Sequence, residues 1–300
     1  MPVTEILIVR HGDRVQWTLN PISGVYSSTH PYPTGLPADP PLASNGVKQS
    51  KEVGIFLQNS LAEHAEQDRL RIYSSPFYRC LETLGPTIEA LIETTPGNSA
   101  TKKSLQVRGE RGIGEWFALT WFIQPKPEEL NRLRDGFFPW LDGTYQSKMA
   151  PPAHGETIVS LHNRVAQALA MVIEDVDREY EQAGRGDEEV TLLLCAHAAT
   201  IIATGRALTG QLPNDYNEDE LKCYTCGISK FIRKSIPPTG EAYYNDDWWK
   251  RRGVAGGWEL SLNSDCGHLS QGEENGWRFN GDEAFDSYQA PPTLGSKIAV

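Results

Sequence analysis

The sequence predicts an α/β protein, a three-layer α/β/α sandwich around a mainly parallel central sheet. Two observations carry that expectation. Short, largely apolar runs at residues 6–9, 70–73 and 190–195 are too brief for helices and alternate with longer segments of helical period. Strands alternating with helices imply crossover units, which put parallel strands side by side and cover both faces of the sheet.

Taken in order, Ile6-Leu7-Ile8-Val9 reads as a buried strand closed by Gly12. Residues 46–61 place Val47, Val53, Phe56, Leu57 and Leu61 at helical spacing, and 70–73 form the next strand. Leu81, Leu84, Ile88, Leu91 and Ile92 make 78–92 a helix, with a kink expected at Gly85-Pro86. Residues 104–107 give a further strand. The strongest helix covers 156–183, with Ile158, Leu161, Val165, Leu169, Val172, Ile173 and Val176 along one face. Residues 190–195 are a strand, the chain enters another helix after His197, and 228–233 and 257–261 are late strands.

Two stretches resist this pattern. Residues 16–41 are rich in Pro, Gly, Ser and Tyr and read as an insertion loop, whose length marks it as functional or mobile. From 235 onward, prolines and charges mix with Tyr243, Tyr244, Trp248, Trp249, Trp258, Trp277 and Phe279, too many aromatics for a disordered tail. We read 235–300 as late strands and a C-terminal arm packed on the same domain, so that 1–300 form a single domain.

The chain has 300 residues, 39% of them hydrophobic, and 28 Lys+Arg against 39 Asp+Glu give a net charge of −11. Such an acidic balance argues against nucleic acid as a direct ligand, because binding a phosphate backbone needs many cations. It leaves room for a small positive cleft that draws in an anionic substrate. The most apolar stretch, 190–205, is interrupted by His197 and too short to span a membrane. No basic leader precedes the first strand, and five scattered cysteines do not form a disulfide framework, so a cytoplasmic and/or nuclear location is expected.

Chemistry gathers where the strands end. Arg10-His11-Gly12 follows the first, Ser74-Ser75-Pro76-Phe77-Tyr78-Arg79 the second, and Cys195-Ala196-His197 the late one. Open α/β sheets bind ligands at that edge. Arginines grip phosphate oxygens in pairs, a role open to Arg10, Arg79 and Arg14. A neutral imidazole among them can attack phosphorus and become phosphohistidine. The departing alkoxide needs a proton, which a carboxylic acid kept protonated near neutral pH supplies; Glu115, in Gly112-Ile113-Gly114-Glu115-Trp116, is the leading candidate. Arg-His-Gly alone proves little, and a lone His11 reads equally as a hydrogen-bonded strand-end histidine.

In combination these residues resemble the histidine phosphatase superfamily, which includes the phosphoglycerate mutases. Residues 6–12 look like its opening signature, and Asp39-Pro40-Pro41-Leu42 through Gly46 like the element that starts its next helix. Ser74-Ser75-Pro76 through Thr83 is similar to its second arginine motif, Gly155-Glu156-Thr157 to a helix start, and His197 to the second histidine. The resemblance implies a phosphoglycerate mutase-like fold and a phosphate monoesterase needing no metal or cofactor. In it His11 is the nucleophile, Arg10 and Arg79 clamp phosphate with Arg14 as an additional arginine, His197 stabilises the transferring group, and Glu115 is the general acid/base. Arg10 to Arg14 and Gly112 to Trp116 resemble the suppressor-of-T-cell-receptor-signalling and ecdysteroid-phosphate phosphatase branch. Residues 75–83, 111–116 and Gly272-Glu273-Glu274-Asn275-Gly276-Trp277 look closer still to the phosphatase-like subunit of fungal transcription factor IIIC. That likeness carries an alternative, a scaffold or dual-role subunit with transcription factor IIIC-like protein partners. Mutase-type phosphoryl transfer is a lesser one, since the "L-N-E-R" acid motif is absent. Ala198-Ala199 stands where many members have Gly.

Other features keep two readings each. Glu156 is either a carboxylate favourable at a helix N-terminus or a chemical group. Trp17, Tyr78, Trp116 and Trp121 either wall a leaving-group pocket for aryl or bulky esters, or are core. Cys223-x-x-Cys226 with Cys266-x-His268 invites a zinc reading, but the second pair is tightly spaced and Cys226 falls at the start of a predicted strand, so no metal is expected. Lys250-Arg251-Arg252 reads as a solvated turn. Oligomeric state is open.

Overall fold

The computed structural model describes residues 1–95, 104–234, 254 and 256–280. Strands β1 (Val3–Arg10), β2 (Thr18–Asn20) and β3 (Val25–Ser27) lead to helix α1 (Ser44–Glu66), β4 (Leu70–Ser74) and α2 (Tyr78–Thr94). Then come β5 (Val107–Gly109), a 3-10 turn (Arg111–Ile113), α3 (Leu130–Gly136), α4 (Ile158–Gln182), β6 (Val190–Ala196), α5 (Ala198–Thr209), β7 (Ile228–Arg233) and β8 (Trp258–Asp265).

The main sheet has the order β5-β4-β6-β1-β7-β8. Its first four strands are parallel, and β7 and β8 add an antiparallel edge. Because successive side chains point to opposite faces, each central strand feeds both layers. Ile6 and Ile8 of β1, with Leu192 and Leu194 of β6, pack under α4 and α5. Leu7, Val9, Leu193 and Cys195 pack with α1 and α2 on the other face. This is the three-layer α/β/α sandwich expected, and it explains why these strands read as apolar runs rather than alternating ones.

Local chemistry explains the element ends. Thr157 caps α4, its Oγ1 accepting from Ser160 N at 3.1 Å. Helix α2 runs through Gly85-Pro86 to Thr94. Close to the start of α1, Gly46 lies so near the Asp13 carbonyl that a Cβ would collide with it, which lets the chain after β1 lie against this helix.

Three expectations change. Residues 16–41 are not merely a loop: β2 and β3 pair as a hairpin. Its turn is set by Asn20, whose Oδ1 accepts from the N–H groups of Ile22 (3.0 Å) and Ser23 (3.1 Å), and by Gly24 at φ +68°. The strand expected at 104–107 lies at Val107–Gly109, where pairing with Ile72 to Ser74 of β4 fixes it. The last strand extends from Trp258 to Asp265. The arm beyond 280, Tyr243, Tyr244, Trp248, Trp249 and the Lys250-Arg251-Arg252 run lie outside the described residues. No helix among the described residues is long and apolar enough to cross a membrane.

Candidate active site

Parallel register brings the motif residues to one edge. Arg10 lies opposite Ala196, Ser74 opposite Cys195, and Gly109 opposite Ser74. Beyond the strands, His11 N still donates to Ala196 O at 3.0 Å and Ser75 N to Cys195 O at 2.9 Å. Arg10, His11, Arg79, Glu115 and His197 therefore meet although up to 187 positions separate them along the chain.

His11 is buried, with Nδ1 2.8 Å from Gly12 O. That contact makes Nδ1 the protonated nitrogen and leaves a lone pair on Nε2. Burial first, then the charges of Arg79, His197 and Arg10, hold its pKa well below the usual histidine range. Its imidazole is neutral near pH 7, as a nucleophile requires.

His197 packs edge-on against His11, ring centroids 5.3 Å apart. Its Nε2 is 2.7 Å from Ser75 Oγ, and its Nδ1 is 3.2 Å from Glu115 Oε2. Burial pulls its pKa down, but the neighbouring Cys80 sulfur and Glu115 carboxylate outweigh burial, and the net shift is upward. Two histidines in contact thus shift in opposite directions, His11 down and His197 up.

Arg79 is fully buried. Its Nη2 donates to Glu115 Oε2 at 2.8 Å, and its Nη1 lies 3.4 Å from Asp39 Oδ1. Arg10 is held by two backbone carbonyls, Nη1 donating to Cys223 O at 2.6 Å and to Asn275 O. Burial lowers the Arg10 pKa and brings that of Arg14 to about 10. Arg14 lies over the Trp17 ring, 5.3 Å from its centroid. Among the described residues, the Nε atoms of Arg10 and Arg79 are buried without a hydrogen-bond partner. Buried donors of this kind call for an acceptor.

His11, Glu115 and His197 offer donor atoms within 4.8 Å of one another, as a metal ion would need. Arg79 and Arg10 occupy the same place, however, and two guanidinium groups favour an anion there over a cation. Cys223, Cys226, Cys266 and His268 form no such grouping among the described residues. Cys223 Sγ donates to Ala198 O, and His268 Nε2 faces Cys226 O at 3.1 Å with its ring stacked on Phe56.

Three expectations need correction. Glu115 is not kept protonated by its surroundings: burial pushes its carboxyl up, but His197 and Arg79 outweigh burial and hold it well below the usual range. Glu156 is neither a dipole-facing helix carboxylate nor a reacting group. It precedes the Thr157 cap and forms a buried pair with Arg164, whose Nε lies 2.9 and 3.1 Å from its two oxygens. Tyr78 does not wall the cleft, because α2 turns its ring onto Phe137 and Phe138.

The Arg164 pair has a structural consequence for Glu115. Arg164 Nη1 donates to Gly112 O at 2.8 Å, and Thr200 Oγ1 to Gly114 O at 2.8 Å. Glu110, also buried, accepts from Gly112 N (2.7 Å), Lys148 N (2.8 Å) and Tyr145 OH (2.8 Å). The turn that carries Glu115 is pinned from both sides.

A cleft of about 280 Å³ opens on Arg10, His11 and Arg14. Trp17 and Trp116 line it, while Trp121 packs against Phe122. Tyr26, Phe117 and Trp277 also line it and were missed. Tyr26 comes from the hairpin, its hydroxyl donating to Gln124 Oε1 at 2.7 Å, and Trp277 from the late chain. Phe117 had a sequence signal, adjacency to Trp116. The other two had only the general aromatic richness of their segments.

The model of the histidine phosphatase superfamily (branch 1) matches residues 6–243. The chain belongs to the histidine phosphatase superfamily. It is similar to the transcription factor tau 55 kDa subunit of Saccharomyces cerevisiae, 31% identical over 93% of this chain and 59% of the relative. It is also similar to the ecdysteroid-phosphate phosphatase of Drosophila melanogaster, 28% identical over 71% of this chain and 28% of the relative. The chain thus spans about three fifths of the first curated relative and under a third of the second. Among solved structures, the ecdysone phosphate phosphatase from Bombyx mori in complex with tungstate superposes with a TM-score of 0.50 at 19% identity, covering 81% of this chain and 96% of that one. That likeness places the fold with the phosphoglycerate mutase-like histidine phosphatases.

Proposed function

We propose that this superfamily member is a phosphatase that hydrolyses phosphate monoesters through a phosphohistidine on His11. The observation that carries the reading is a neutral, buried imidazole beside Arg79 and Arg10, whose Nε atoms are buried with no hydrogen-bond partner among the described residues. Arg10 and Arg79 bind the phosphate oxygens, with Arg14 at the cleft mouth. His11 Nε2 attacks phosphorus in line, the P–O ester bond breaks, and its electron pair leaves with the alkoxide. Protonated His197 stabilises the charge spread over the oxygens in transit.

Glu115 delivers the proton to the alkoxide and takes one from the water that attacks phosphohistidine, releasing inorganic phosphate. A phosphate dianion engaging Arg79 brings negative charge beside Glu115 and weakens the pairing that keeps it ionised. Substrate binding itself therefore raises its pKa toward that of a working acid. The aromatic lining of the cleft favours an aryl or other apolar leaving group.

The test is hydrolysis of p-nitrophenyl phosphate in EDTA-containing buffer by wild type and His11→Ala. Turnover in wild type, reduced at least about a thousandfold in the variant, is expected. Equal rates in the two proteins defeat the proposal.

A second reading rests on the 31% identity to the tau 55 kDa subunit. In it the chain acts as a scaffold or dual-role subunit with transcription factor IIIC-like partners, in the nucleus. Stoichiometric recovery of polymerase III transcription factor subunits with the tagged protein from its own cells is the outcome this reading requires. Recovery of the chain alone counts against it.

A further inference from the structure

Arg10 has an unusual anchorage for a phosphate-binding arginine. Among the described residues it pairs with no carboxylate, and the Nη1 atom is fixed by the carbonyls of Cys223 and Asn275, more than 200 positions away in the chain. Carbonyl oxygens orient a guanidinium without cancelling its charge, so its attraction for an anion stays intact.

The carbonyl of Asn275 is delivered by a strap, residues 272–279, that crosses the site. Asn275 sits at φ +50°, the left-handed region that asparagine tolerates better than most side chains. The strap is fastened on two sides. Glu274 Oε2 accepts from Asn45 Nδ2 at 2.9 Å and from Gln49 Nε2 at 2.8 Å, both on α1. Thr225 N donates to Glu274 O at 3.1 Å, and Trp277 N to Cys223 O at 3.2 Å. Two residues after Asn275, Trp277 reaches the cleft wall, with Trp116 at 6.5 Å and Phe279 at 5.0 Å between ring centroids.

We propose that this strap is a working part of the site, in which Asn275 positions Arg10 for the phosphate and Trp277 selects apolar leaving groups. The inference rests on the phosphatase reading for the meaning of the cleft, but it concerns binding and is tested by binding. One short segment then sets both how firmly the anion is held and what is attached to it. The sequence Glu273-Glu274-Asn275-Gly276-Trp277 is legible in these terms: an anchoring carboxylate, a left-handed residue with its carbonyl turned inward, a glycine against the Tyr224 ring, and an aromatic wall.

Calorimetric titration of the full chain with inorganic phosphate and with 1-naphthylphosphonate, which cannot be hydrolysed, separates the two roles. Wild type is expected to bind the naphthyl ligand more tightly than phosphate. Trp277→Ala narrows that ratio about tenfold, the order of effect of removing one large aromatic contact. Glu274→Ala frees the strap, weakens both ligands by the same factor of about five to ten and keeps the ratio; Glu274→Gln, whose amide oxygen still accepts from Asn45 and Gln49, restores most of the affinity. A purely structural role for Glu274 would move the melting temperature without this common shift in affinity. An unchanged ratio in Trp277→Ala overturns the selector role, and unchanged phosphate affinity in folded Glu274→Ala overturns the anchoring of Arg10. A wild-type protein that binds neither ligand overturns the inference together with the anion site, whereas binding without turnover defeats the phosphatase proposal alone.

Discussion

The sheet edge and the rim above it are built on different physical terms. Arg10, His11, Ser75 and His197 continue strands whose register is fixed by backbone hydrogen bonds and a two-sided core. The rim comes from a six-residue hairpin ladder, the 116–124 segment and the strap, joined by aromatic contacts such as Trp17 on Tyr26 and Trp116 on Trp277. Charge chemistry tolerates little displacement and sits where the fold is most constrained; shape recognition tolerates more and sits on loops. Substitutions at the edge should abolish turnover for every ester, whereas those at the rim should change which ester is preferred.

Arg79→Ala gives the largest expected effect. It removes the partner of both Glu115 and Asp39 and one of the two buried Nε donors. Turnover of p-nitrophenyl phosphate should fall by about a thousandfold, on the scale of lost transition-state charge stabilisation. The ratio between aryl and small alkyl esters should stay constant in the residual activity. A change in that ratio larger than the fall in rate would erase the distinction between edge and rim.

Glu156→Ala probes what lies under the edge. It leaves the Arg164 guanidinium buried without its carboxylate, a loss of about 3 kcal/mol by the usual cost of breaking a buried pair. Urea unfolding should show that loss, and kcat should fall more than KM rises, because Arg164 also holds the Gly112 carbonyl before Glu115. Stability equal to wild type would mean that the turn is held by Glu110 and Thr200 alone.

Legibility in the sequence follows the same division. The strands could be read because burial on both faces leaves uninterrupted apolar runs, and Arg10, His11, Arg79 and His197 because each follows such a run or opens the next helix. The hairpin was hidden because three-residue strands are too short to show alternation. Glu156 was misread because its partner, Arg164, lies eight positions on, inside the helix that follows, on a side that the apolar period alone does not mark as buried. Tyr26 and Trp277 converge across 251 positions, a meeting that no local pattern records. The ionisation of Glu115 depends on distances to Arg79 and His197 that residue spacing does not contain.

Asp39 gives a smaller effect and one with a pH signature. Burial pushes its carboxyl up to about 7, against the pull of Arg79 and the Tyr78 N–H that donates to it at 2.8 Å. Its folded pKa lies above the unfolded 3.8, so the folded chain binds more protons between these values. The favourable contribution is present in full below about pH 4 and is lost as pH rises through about 7. Asp39→Asn keeps an oxygen for the Tyr78 N–H and cannot ionise. Its stability relative to wild type should rise steadily with pH between pH 4 and pH 8. Parallel stability curves for the two proteins would show that Arg79 fully compensates the buried charge.

Gly24→Ala should give the smallest effect and tests the rim by itself. Gly24 adopts φ +68°, where an L side chain is strained, and an added Cβ would lie 2.6 Å from Cγ of Phe122. The expected loss is about 1 kcal/mol or a little more, the scale of a left-handed residue forced on alanine. The larger part of the response should be local. Phe122 packs on Tyr26, and Tyr26 both lines the cleft and touches Trp17, so the displaced hairpin carries two cleft aromatics with it. Affinity for inorganic phosphate, which the proposal assigns to Arg10 and Arg79, should remain within a factor of two, while the preference for an aryl over a small alkyl ester drops about threefold. A fall in phosphate affinity as large as the fall in selectivity would mean that the hairpin, through Arg14, belongs to the edge rather than to the rim. Arg14 is the residue on which that outcome turns, because it lies over Trp17 while bridging the backbone to Leu42 beside α1.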